Sequence, residues 1–375
     1  MNPKLLFEIL EKKGIDFFTG VPDSTLKDFC FYLEDIVSSS NHIIAANEGN
    51  AIGIASGYFL ATGKIPLVYM QNSGFGNAIN PLTSLADKSV FSIPLLIMLG
   101  WRGEPGKKDA IQHKKDGEIQ LNILESLGIP YTILSNKLDI LEKEINQIVT
   151  SITTKNIPHV ILVKRNFFQS YSKKSKSVTP DIELSREKAI LEIVKLLDKE
   201  DILISTTGKA SRELFEIRKS LNHNTEKDLR VVGSMGHASS IALGVSLRLP
   251  SRQVFCLDGD GSLIMHMGIL SIIGKYSSDN FKHILLNNFS HDSVGGQESS
   301  SDIINYSSLS KSMSYKNFFQ IRGKETFTET FEVFKESEGP SFLEILVSQG
   351  SRINLSRPDI SPLKNRKEFM HFLSD

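Results

Sequence analysis

The chain has few cysteines, no excess of charge of either sign and no long hydrophobic run. Its two cysteines, Cys30 and Cys256, lie far apart in the 375 residues, which excludes a disulfide framework or a cysteine metal cluster. The 43 basic residues balance the 43 acidic ones, so the net charge does not favour binding to nucleic acid or to an anionic membrane. The longest apolar stretch, around residues 91–101, is interrupted by Ser92 and Pro94 and is too short to span a bilayer. These absences predict a cytoplasmic globular protein that acts neither on nucleic acid nor in a membrane.

Short apolar runs alternate with helical patterns along nearly the whole chain, which is typical of a parallel α/β architecture. Residues 1–14 read as an amphipathic helix rather than a signal peptide, because two acidic residues interrupt the apolar pattern. Further helices are expected at Ser24–Leu33, with Ser24 as the cap, and at Glu48–Leu60. Strands are expected at Phe17–Thr19, Ile43–Ala45, Leu67–Met70, Leu95–Leu99, Tyr131–Leu134, Val160–Val163, Ile202–Ser205, Arg230–Val232, Val254–Leu257, Ile284–Leu286, Phe318–Gln320 and Phe342–Leu346.

The alternation is interrupted once, near the middle of the chain. Residues 166–180 are rich in Ser and Lys, show no periodicity and end at a proline, which predicts a linker over residues 167–183. A first domain would then span residues 1–166 and a second domain residues 184–375, both within the usual size range. Because the two halves also end in similar apolar strands, we expect two similar three-layer α/β domains with parallel sheets.

The strongest chemical motif follows two neighbouring strands of the predicted second sheet. Residues Gly259-Asp260-Gly261-Ser262 follow one strand and precede a helix expected at His266–Tyr276, and an Asn pair ending at Asn288 follows the next strand. The carboxyl ends of parallel strands meet at one edge of a sheet, so Asp260 and Asn288 are expected to lie together. Their oxygens suit Mg²⁺, and the glycines allow backbone N–H groups to approach a diphosphate at the helix N-terminus.

This motif resembles the thiamine-diphosphate motif of the decarboxylase superfamily, which begins Gly-Asp-Gly and ends Asn-Asn. The resemblance implies thiamine diphosphate and Mg²⁺ as cofactors, a thiamine-diphosphate-binding fold, and pyrimidine-binding and diphosphate-binding domains in that order. It implies that Asp260, Asn288 and the carbonyl of Ser290 ligate the metal. Further segments that resemble the superfamily imply cofactor contacts at Thr207, Gly208, Gly233, Ser234, Met235, Gly261, Ser262 and Asn288.

Glu48 lies in a segment that resembles the activating glutamate of the same superfamily. Such a carboxyl shares a proton with N1′ of the cofactor's pyrimidine ring, so Glu48 needs an apolar setting that raises its pKa. The resemblance also places His113 and His291 near the substrate. A histidine with a pKa near neutrality suits proton transfer, and we therefore predict both as catalytic residues.

The substrate is suggested by length and by four further segments. The chain leaves no room for the middle domain of pyruvate decarboxylases and acetolactate synthases. Segments 20–24, 71–74, 101–106 and 288–297 resemble the phosphonopyruvate decarboxylases, which implies conversion of 3-phosphonopyruvate to phosphonoacetaldehyde and CO₂ in phosphonate biosynthesis. Arg102 has the geometry that suits a tetrahedral oxyanion. The predicted substrate-binding residues are Ser24, Asn72, Ser73, Arg102 and Asp292.

Three alternatives stay open at this point. Sulfopyruvate decarboxylases share the chemistry, although that family tends to show Cys where this chain has Asp23 and often divides its two domains between subunits. A non-catalytic cofactor-binding scaffold and a metal-dependent phosphatase or nucleotide binder are more distant. The superfamily resemblance further implies a homo-oligomer in which each cofactor lies between domains of different subunits.

Overall fold

The predicted strands are all present in the computed structural model, although several begin or end a few residues away from the expected positions. The structure describes residues 1–174 and 182–374. The strands in these residues are β1 (Phe18–Gly20), β2 (His42–Ile44), β3 (Leu67–Gln71), β4 (Leu96–Gly100), β5 (Tyr131–Ile133), β6 (His159–Val163), β7 (Ile202–Ser205), β8 (Asp228–Arg230), β9 (Val254–Gly259), β10 (Phe281–Asn287), β11 (Asn317–Ile321) and β12 (Ser341–Leu346).

The strands form two six-stranded sheets, one in each half of the chain. The first has the order β2-β1-β3-β4-β6-β5 and the second the order β11-β12-β10-β9-β7-β8. All neighbouring strands in both sheets are parallel. The prediction of two parallel α/β domains is therefore confirmed.

Helices connect the strands. They are α1 (Pro3–Glu11), α2 (Lys27–Ile36), α3 (Glu48–Thr62), α4 (Phe75–Pro81), α5 (Ile111–Ser126), α6 (Leu138–Lys155), α7 (Arg186–Leu196), α8 (Lys209–Ser220), α9 (Ala238–Ser246), α10 (Asp260–Met265), α11 (Ile269–Tyr276), α12 (Tyr306–Ser312), α13 (Phe327–Glu336) and α14 (Pro362–Ser374). No described helix is long and apolar enough to cross a membrane.

Each sheet has an apolar core on both of its faces, because successive strand residues point in opposite directions. In β4, Leu96 and Met98 face one core, whereas Ile97 and Leu99 face the other. The second sheet is covered in the same way, which gives each unit three layers. This packing fixes the positions of the strand ends. Asp260 and Asn288, the predicted metal ligands, directly follow the ends of β9 and β10.

The predicted cap at Ser24 is wrong. Helix α2 begins at Lys27 after Leu26, which makes no side-chain capping hydrogen bond. Ser24 Oγ accepts a hydrogen bond from Arg102 instead, and the N–H of Thr25 donates to the carboxylate of Asp23. Ser24 is therefore bound by Arg102, a residue distant in sequence, and does not cap the helix.

The chain divides into two units, Met1–Ser177 and Val178–Asp375. Phe167 and Phe168 lie within the predicted linker, but both are buried in the core of the first unit. Residues 175–181 of the predicted linker lie outside the described residues. The limits of the linker stay a prediction.

Candidate active site

Asp260 and Asn288 follow adjacent strands and lie at the same edge of the second sheet. The register pairs Leu286 with Gly259, so β9 and β10 end side by side. The Asp260 carboxylate accepts hydrogen bonds from the N–H of Ser290, at 3.0 Å, and from the hydroxyl of Ser299. The same Ser290 N–H lies 3.2 Å from Asn288 Oδ1. The three residues predicted as metal ligands are thus brought together, and Ser299 is an additional partner that sequence reasoning missed.

The environment of Asp260 suits a cation. The side chain is only 2% exposed, and this burial raises its pKa to about 6. Within the described residues, its hydrogen-bond partners are neutral donors rather than a basic side chain. A buried carboxylate, a carboxamide and a backbone carbonyl form the all-oxygen donor set that Mg²⁺ prefers. The arrangement therefore fits the metal that the motif implies.

The turn after β9 is joined to two other predicted cofactor segments through Ser262. Its hydroxyl shares a 2.8 Å hydrogen bond with Thr206 Oγ1 and accepts another, at 3.1 Å, from the N–H of Gly236. A Cβ atom at Gly261 would lie 2.6 Å from His291 Nδ1 and 3.5 Å from Met235 Cε. Glycine is required there because the imidazole ring lies directly against the backbone.

The other predicted diphosphate segment precedes α8. Gly208 has φ +103°, and a Cβ atom at this position would lie 2.6 Å from Ser293 Oγ. Thr207 is its neighbour in the same turn, while Gly233 and Ser234 lie in the segment between β8 and α9. Glycine at position 208 thus allows both a left-handed backbone and close contact with the loop that follows Asn288.

Glu48 is the first residue of α3 and is almost completely buried. Burial raises the pKa of its carboxyl, as the predicted role requires, and Asn77 Nδ2 donates a 2.7 Å hydrogen bond to Oε2. A Cβ atom at Gly74 would collide with Glu48 Oε1. Sequence reasoning missed Asn77 and gave Gly74 no role, since no local pattern links either residue to the glutamate.

Arg102 lies in a polar cluster with two of the other predicted substrate residues, Ser24 and Asn72. Its guanidinium binds both carboxylate oxygens of Asp109, at 2.7 and 2.5 Å, and donates to Ser24 Oγ at 2.8 Å. Asn72 accepts from the Arg102 N–H at 2.9 Å and donates to its carbonyl at 3.0 Å. The ion pair holds the pKa of Asp109 well below its ordinary value. Arg102 is therefore fixed in position, not an exposed loop arginine.

Ser73 is linked, through Gln71, to a buried acid that sequence reasoning did not assign. Its hydroxyl donates to Gln71 Oε1 at 2.6 Å, and Gln71 Nε2 donates to the carboxylate of Asp23. Asp23 is completely buried, and burial raises its pKa. A Cβ atom at Gly100 would collide with the same carboxylate. Gln71 is thus fixed by Asp23 and in turn orients Ser73.

The two predicted catalytic histidines lie in different units. His113 is in the first turn of α5 and is half-buried. Its backbone carbonyl packs closely against Gly103, so α5 lies next to the segment that carries Arg102. Burial lowers the pKa of His291 to about 4. At neutral pH this ring is therefore neutral, and the prediction of a near-neutral pKa is not supported for His291.

The carboxylate of Asp292 is already bound by other groups of the protein, which does not fit the predicted contact with substrate. Its carboxylate pairs with Arg186 Nη1 at 2.8 Å and accepts from the N–H of Gly350 at 3.0 Å. Arg186 also binds both carboxylate oxygens of Glu213. Asp292 therefore anchors its loop to the start of α7. This contact joins segments that are distant in sequence, so no local motif could reveal it.

Comparison with known proteins gives two family matches and several full-length relatives. Residues 3–123 match "Thiamine pyrophosphate enzyme, N-terminal TPP binding domain", and residues 206–345 match "Thiamine pyrophosphate enzyme, C-terminal TPP binding domain". A phosphonopyruvate decarboxylase of Streptomyces viridochromogenes is 26% identical over 96% of this chain and 92% of its own length. A sulfopyruvate decarboxylase of Methanosarcina acetivorans is 29% identical over 100% and 98%. The sulfopyruvate decarboxylase subunit beta of Methanothermobacter thermautotrophicus is 36% identical over 45% of this chain and 84% of its own length.

Proposed function

The chain belongs to the thiamine pyrophosphate enzyme family, and we propose that it is a decarboxylase acting on 3-phosphonopyruvate. The proposed reaction gives phosphonoacetaldehyde and CO₂, uses thiamine diphosphate and Mg²⁺, and takes place in the cytoplasm as a step of phosphonate biosynthesis. The observation that carries the proposal is the similarity to a phosphonopyruvate decarboxylase over 96% of the chain.

The second unit supplies the groups that would hold the cofactor. Asp260, Asn288 and the carbonyl of Ser290 are proposed to ligate Mg²⁺, in keeping with the buried oxygen donors at this edge of the sheet. The turns that contain Gly208 and Gly261 would lie against the diphosphate, and Met235 against the rings. When bound, thiamine diphosphate supplies a nucleophilic carbon for the 2-keto group and an electron sink for the electrons released with CO₂.

The first unit supplies the proton-holding group. Glu48 has a pKa raised by burial, so its carboxyl can retain a proton nearer to neutral pH than an exposed glutamate. We propose that it shares this proton with N1′ of the pyrimidine ring. Asn77 fixes Oε2 and so orients the carboxyl toward one partner.

The Arg102 cluster is proposed to bind the phosphonate. Arg102 provides positive charge, Ser24 and Asn72 are hydrogen-bonded to it, and Ser73 follows Asn72 in the chain. A site that holds the phosphonate firmly and solvates the carboxylate poorly favours loss of neutral CO₂, because only the carboxylate is relieved by the reaction. His113 and His291 are proposed to act near the reacting carbon, His291 as a neutral ring that donates an N–H.

Sulfopyruvate is the second candidate substrate, since a full-length relative is named for it. A sulfonate is monoanionic, whereas a phosphonate gains a second charge as the pH rises. The affinity of a phosphonopyruvate enzyme is therefore expected to change with pH in the range where the substrate's phosphonate ionises, and that of a sulfopyruvate enzyme is not.

Release of CO₂ from 3-phosphonopyruvate, 3-sulfopyruvate and pyruvate tests the proposal. With both cofactors present, we expect a kcat/KM for 3-phosphonopyruvate that is at least about tenfold above the other two values, since the anion contacts are charge-assisted. A preference for sulfopyruvate would support the same decarboxylation chemistry but contradict 3-phosphonopyruvate as the substrate. Absence of cofactor-dependent turnover on all three would contradict the proposed function.

A homo-oligomer with shared sites is also proposed. Two of the relatives that match parts of this chain are named as the alpha and beta subunits of sulfopyruvate decarboxylases, so in those proteins the matched regions belong to an assembly. We propose that Glu48 of one copy and Asp260 of another serve one cofactor. An active monomer in solution would contradict this part of the proposal.

A further inference from the structure

The side chain of Gln297 is completely buried, and neither atom of its amide has a hydrogen-bond partner among the described residues. A carboxamide offers two donors and an acceptor, and burying such a group without partners is unfavourable because its hydrogen bonds to water are lost. Nearly all buried polar groups in folded proteins are satisfied. An amide left in this state takes its partner from outside the chain, either water or a ligand, and its surroundings decide between the two.

The backbone fixes the face from which this amide projects. The Ser299 N–H donates to the Phe289 carbonyl at 3.1 Å, and the His291 N–H donates to the Gln297 carbonyl at 2.8 Å. These bonds flank an antiparallel bridge between Ser290 and Glu298. Residues directly opposite each other in an antiparallel pair project from the same face. Gln297 therefore lies beside His291 on one face of a short hairpin, defined here as residues 289–299.

This hairpin lies over both glycine turns of the candidate cofactor site. On the face of Gln297, the ring of His291 lies against Gly261, the residue that follows Asp260. At the tip of the hairpin, Ser293 lies against Gly208. At its end, the hydroxyl of Ser299 is bonded to the Asp260 carboxylate. The buried amide thus belongs to the segment that covers the proposed diphosphate and metal groups.

We propose that Gln297 is a further cofactor-binding residue, whose amide hydrogen-bonds to the metal–diphosphate group of the bound cofactor. The N–H₂ can donate to a phosphate oxygen, and the carbonyl can accept from water on the cation. The free protein carries the cost of an unsatisfied amide, and cofactor binding removes it. This inference rests on the proposed function, since it requires a diphosphate and a metal at this edge of the sheet.

The test compares Gln297→Leu with the wild type in two measurements that do not depend on turnover. The first is the thermal midpoint of the cofactor-free protein, and the second is the Kd of thiamine diphosphate in saturating Mg²⁺ by calorimetry. We expect the leucine variant to be at least as stable as the wild type without cofactor, yet to bind about tenfold more weakly, as loss of one or two hydrogen bonds predicts.

Gln253 provides a matched control. It lies just before β9, at the opposite end of the strand from Asp260, and its Oε1 is also buried without a partner in the described part of the chain. Gln253→Leu is expected to leave the Kd unchanged. Gln297→Met, which preserves the length of the side chain, replaces the leucine variant if that variant does not fold.

The outcomes separate this inference from the proposed function. If the wild type binds the cofactor and releases CO₂, and Gln297→Leu binds equally well, Gln297 has no cofactor role and the proposed function stands. The same conclusion follows if the control variant weakens binding as much as Gln297→Leu. A wild type that does not bind thiamine diphosphate with Mg²⁺ would overturn both.

Discussion

At the scale of single residues, the candidate site depends on buried acids whose neighbours are fixed by close packing. Glu48 contacts Asn77 and lies against Gly74, and Asp260 contacts only neutral donors among the described residues. In both cases burial raises the pKa of the carboxyl. For Glu48 this suits proton sharing. For Asp260 it reflects burial without a basic partner among the described residues, which leaves the carboxylate to be neutralised by a cation. Small changes next to these acids are therefore expected to have large effects on activity.

Gly74→Ala tests the packing around Glu48. The added methyl group would collide with Glu48 Oε1 and displace the carboxyl. We expect kcat to fall about 10²-fold, in line with the usual loss when a proton-transfer group is misplaced. Gly76→Ala is the matched control, since no atom lies within 4 Å of a Cβ at that position. Steady-state kinetics that show equal losses in both variants would contradict the assigned role of Gly74.

Arg102→Ala tests the anion site. Loss of a fixed guanidinium is expected to raise KM for 3-phosphonopyruvate about tenfold or more, since charge-assisted hydrogen bonds contribute roughly 1.5–3 kcal/mol. Asp109→Asn is expected to raise KM less, because the arginine stays but is no longer held by a carboxylate. Arg165→Ala, at an exposed position of the same unit, is the control. Kinetics in which Arg102→Ala left KM unchanged would remove Arg102 from the substrate site.

At the scale of helices and strands, the sequence was sufficient to locate the sheets but not every helix. The central strands are short apolar runs, and the predicted strands overlap each of the twelve strands in the described residues. Helix α10 was missed, because its first residues are Asp260, Gly261 and Ser262, which locally favour a turn. The sequence predicts that α2 begins at Ser24, because serine is a common helix cap. In the structure Ser24 instead bonds to Arg102, which follows β4 and is distant in sequence, so no local pattern reveals this contact.

The candidate site likewise contains residues that the sequence could predict and residues that it could not. Residues within a contiguous motif, such as Asp260 and Asn288, could be predicted because strand ends meet at one sheet edge. The partners Asn77, Asp109 and Ser299 could not, since each contact depends on how separate elements pack. The engagement of Asp292 with Arg186 is of this kind as well.

Two strands of the first sheet carry histidines, His42 half-buried and His159 buried, that predict how stability varies with pH. Burial lowers the pKa of His42 in β2 and of His159 in β6 to about 4, against 6.5 for the ordinary group. In the unfolded chain both bind a proton below about pH 6.5, whereas in the folded chain they do so only near pH 4. The free energy of unfolding is therefore expected to fall by about 2 kcal/mol per histidine between pH 6.5 and 4.5.

The double variant His42→Gln, His159→Gln checks this expectation. Glutamine can preserve a hydrogen bond to Tyr69 or to Thr132 but does not titrate. Urea midpoints measured at pH 7 and pH 5 should differ less in the variant than in the wild type. An equal pH dependence in the two proteins would show that other groups cause the acid sensitivity.

At the scale of the whole molecule, the two units carry complementary halves of the proposed machinery. Glu48 and Arg102 belong to the first unit, and Asp260, Asn288 and His291 belong to the second. The proposed homo-oligomer combines these halves from different copies. Variants in the two halves should then complement each other.

Co-expression of Glu48→Gln and Asp260→Asn chains tests that expectation. Each variant alone should be inactive, since every site lacks one required carboxyl. In a dimer with random pairing, half of the molecules are mixed and each holds one intact site, so about a quarter of the wild-type activity should return. Light scattering would establish the size of the oligomer. Mixed oligomers without recovered turnover would contradict sites shared between subunits.

The central claim is the decarboxylation of 3-phosphonopyruvate by the residues described, and phosphorus NMR tests it most directly. The purified protein is mixed with thiamine diphosphate, Mg²⁺ and 3-phosphonopyruvate, with Glu48→Gln in parallel. We predict that the substrate resonance is replaced by that of phosphonoacetaldehyde in the wild type, only when both cofactors are present, and that the variant leaves the substrate unchanged. A wild-type spectrum that retains 3-phosphonopyruvate, or a variant that consumes it equally fast, would contradict the account.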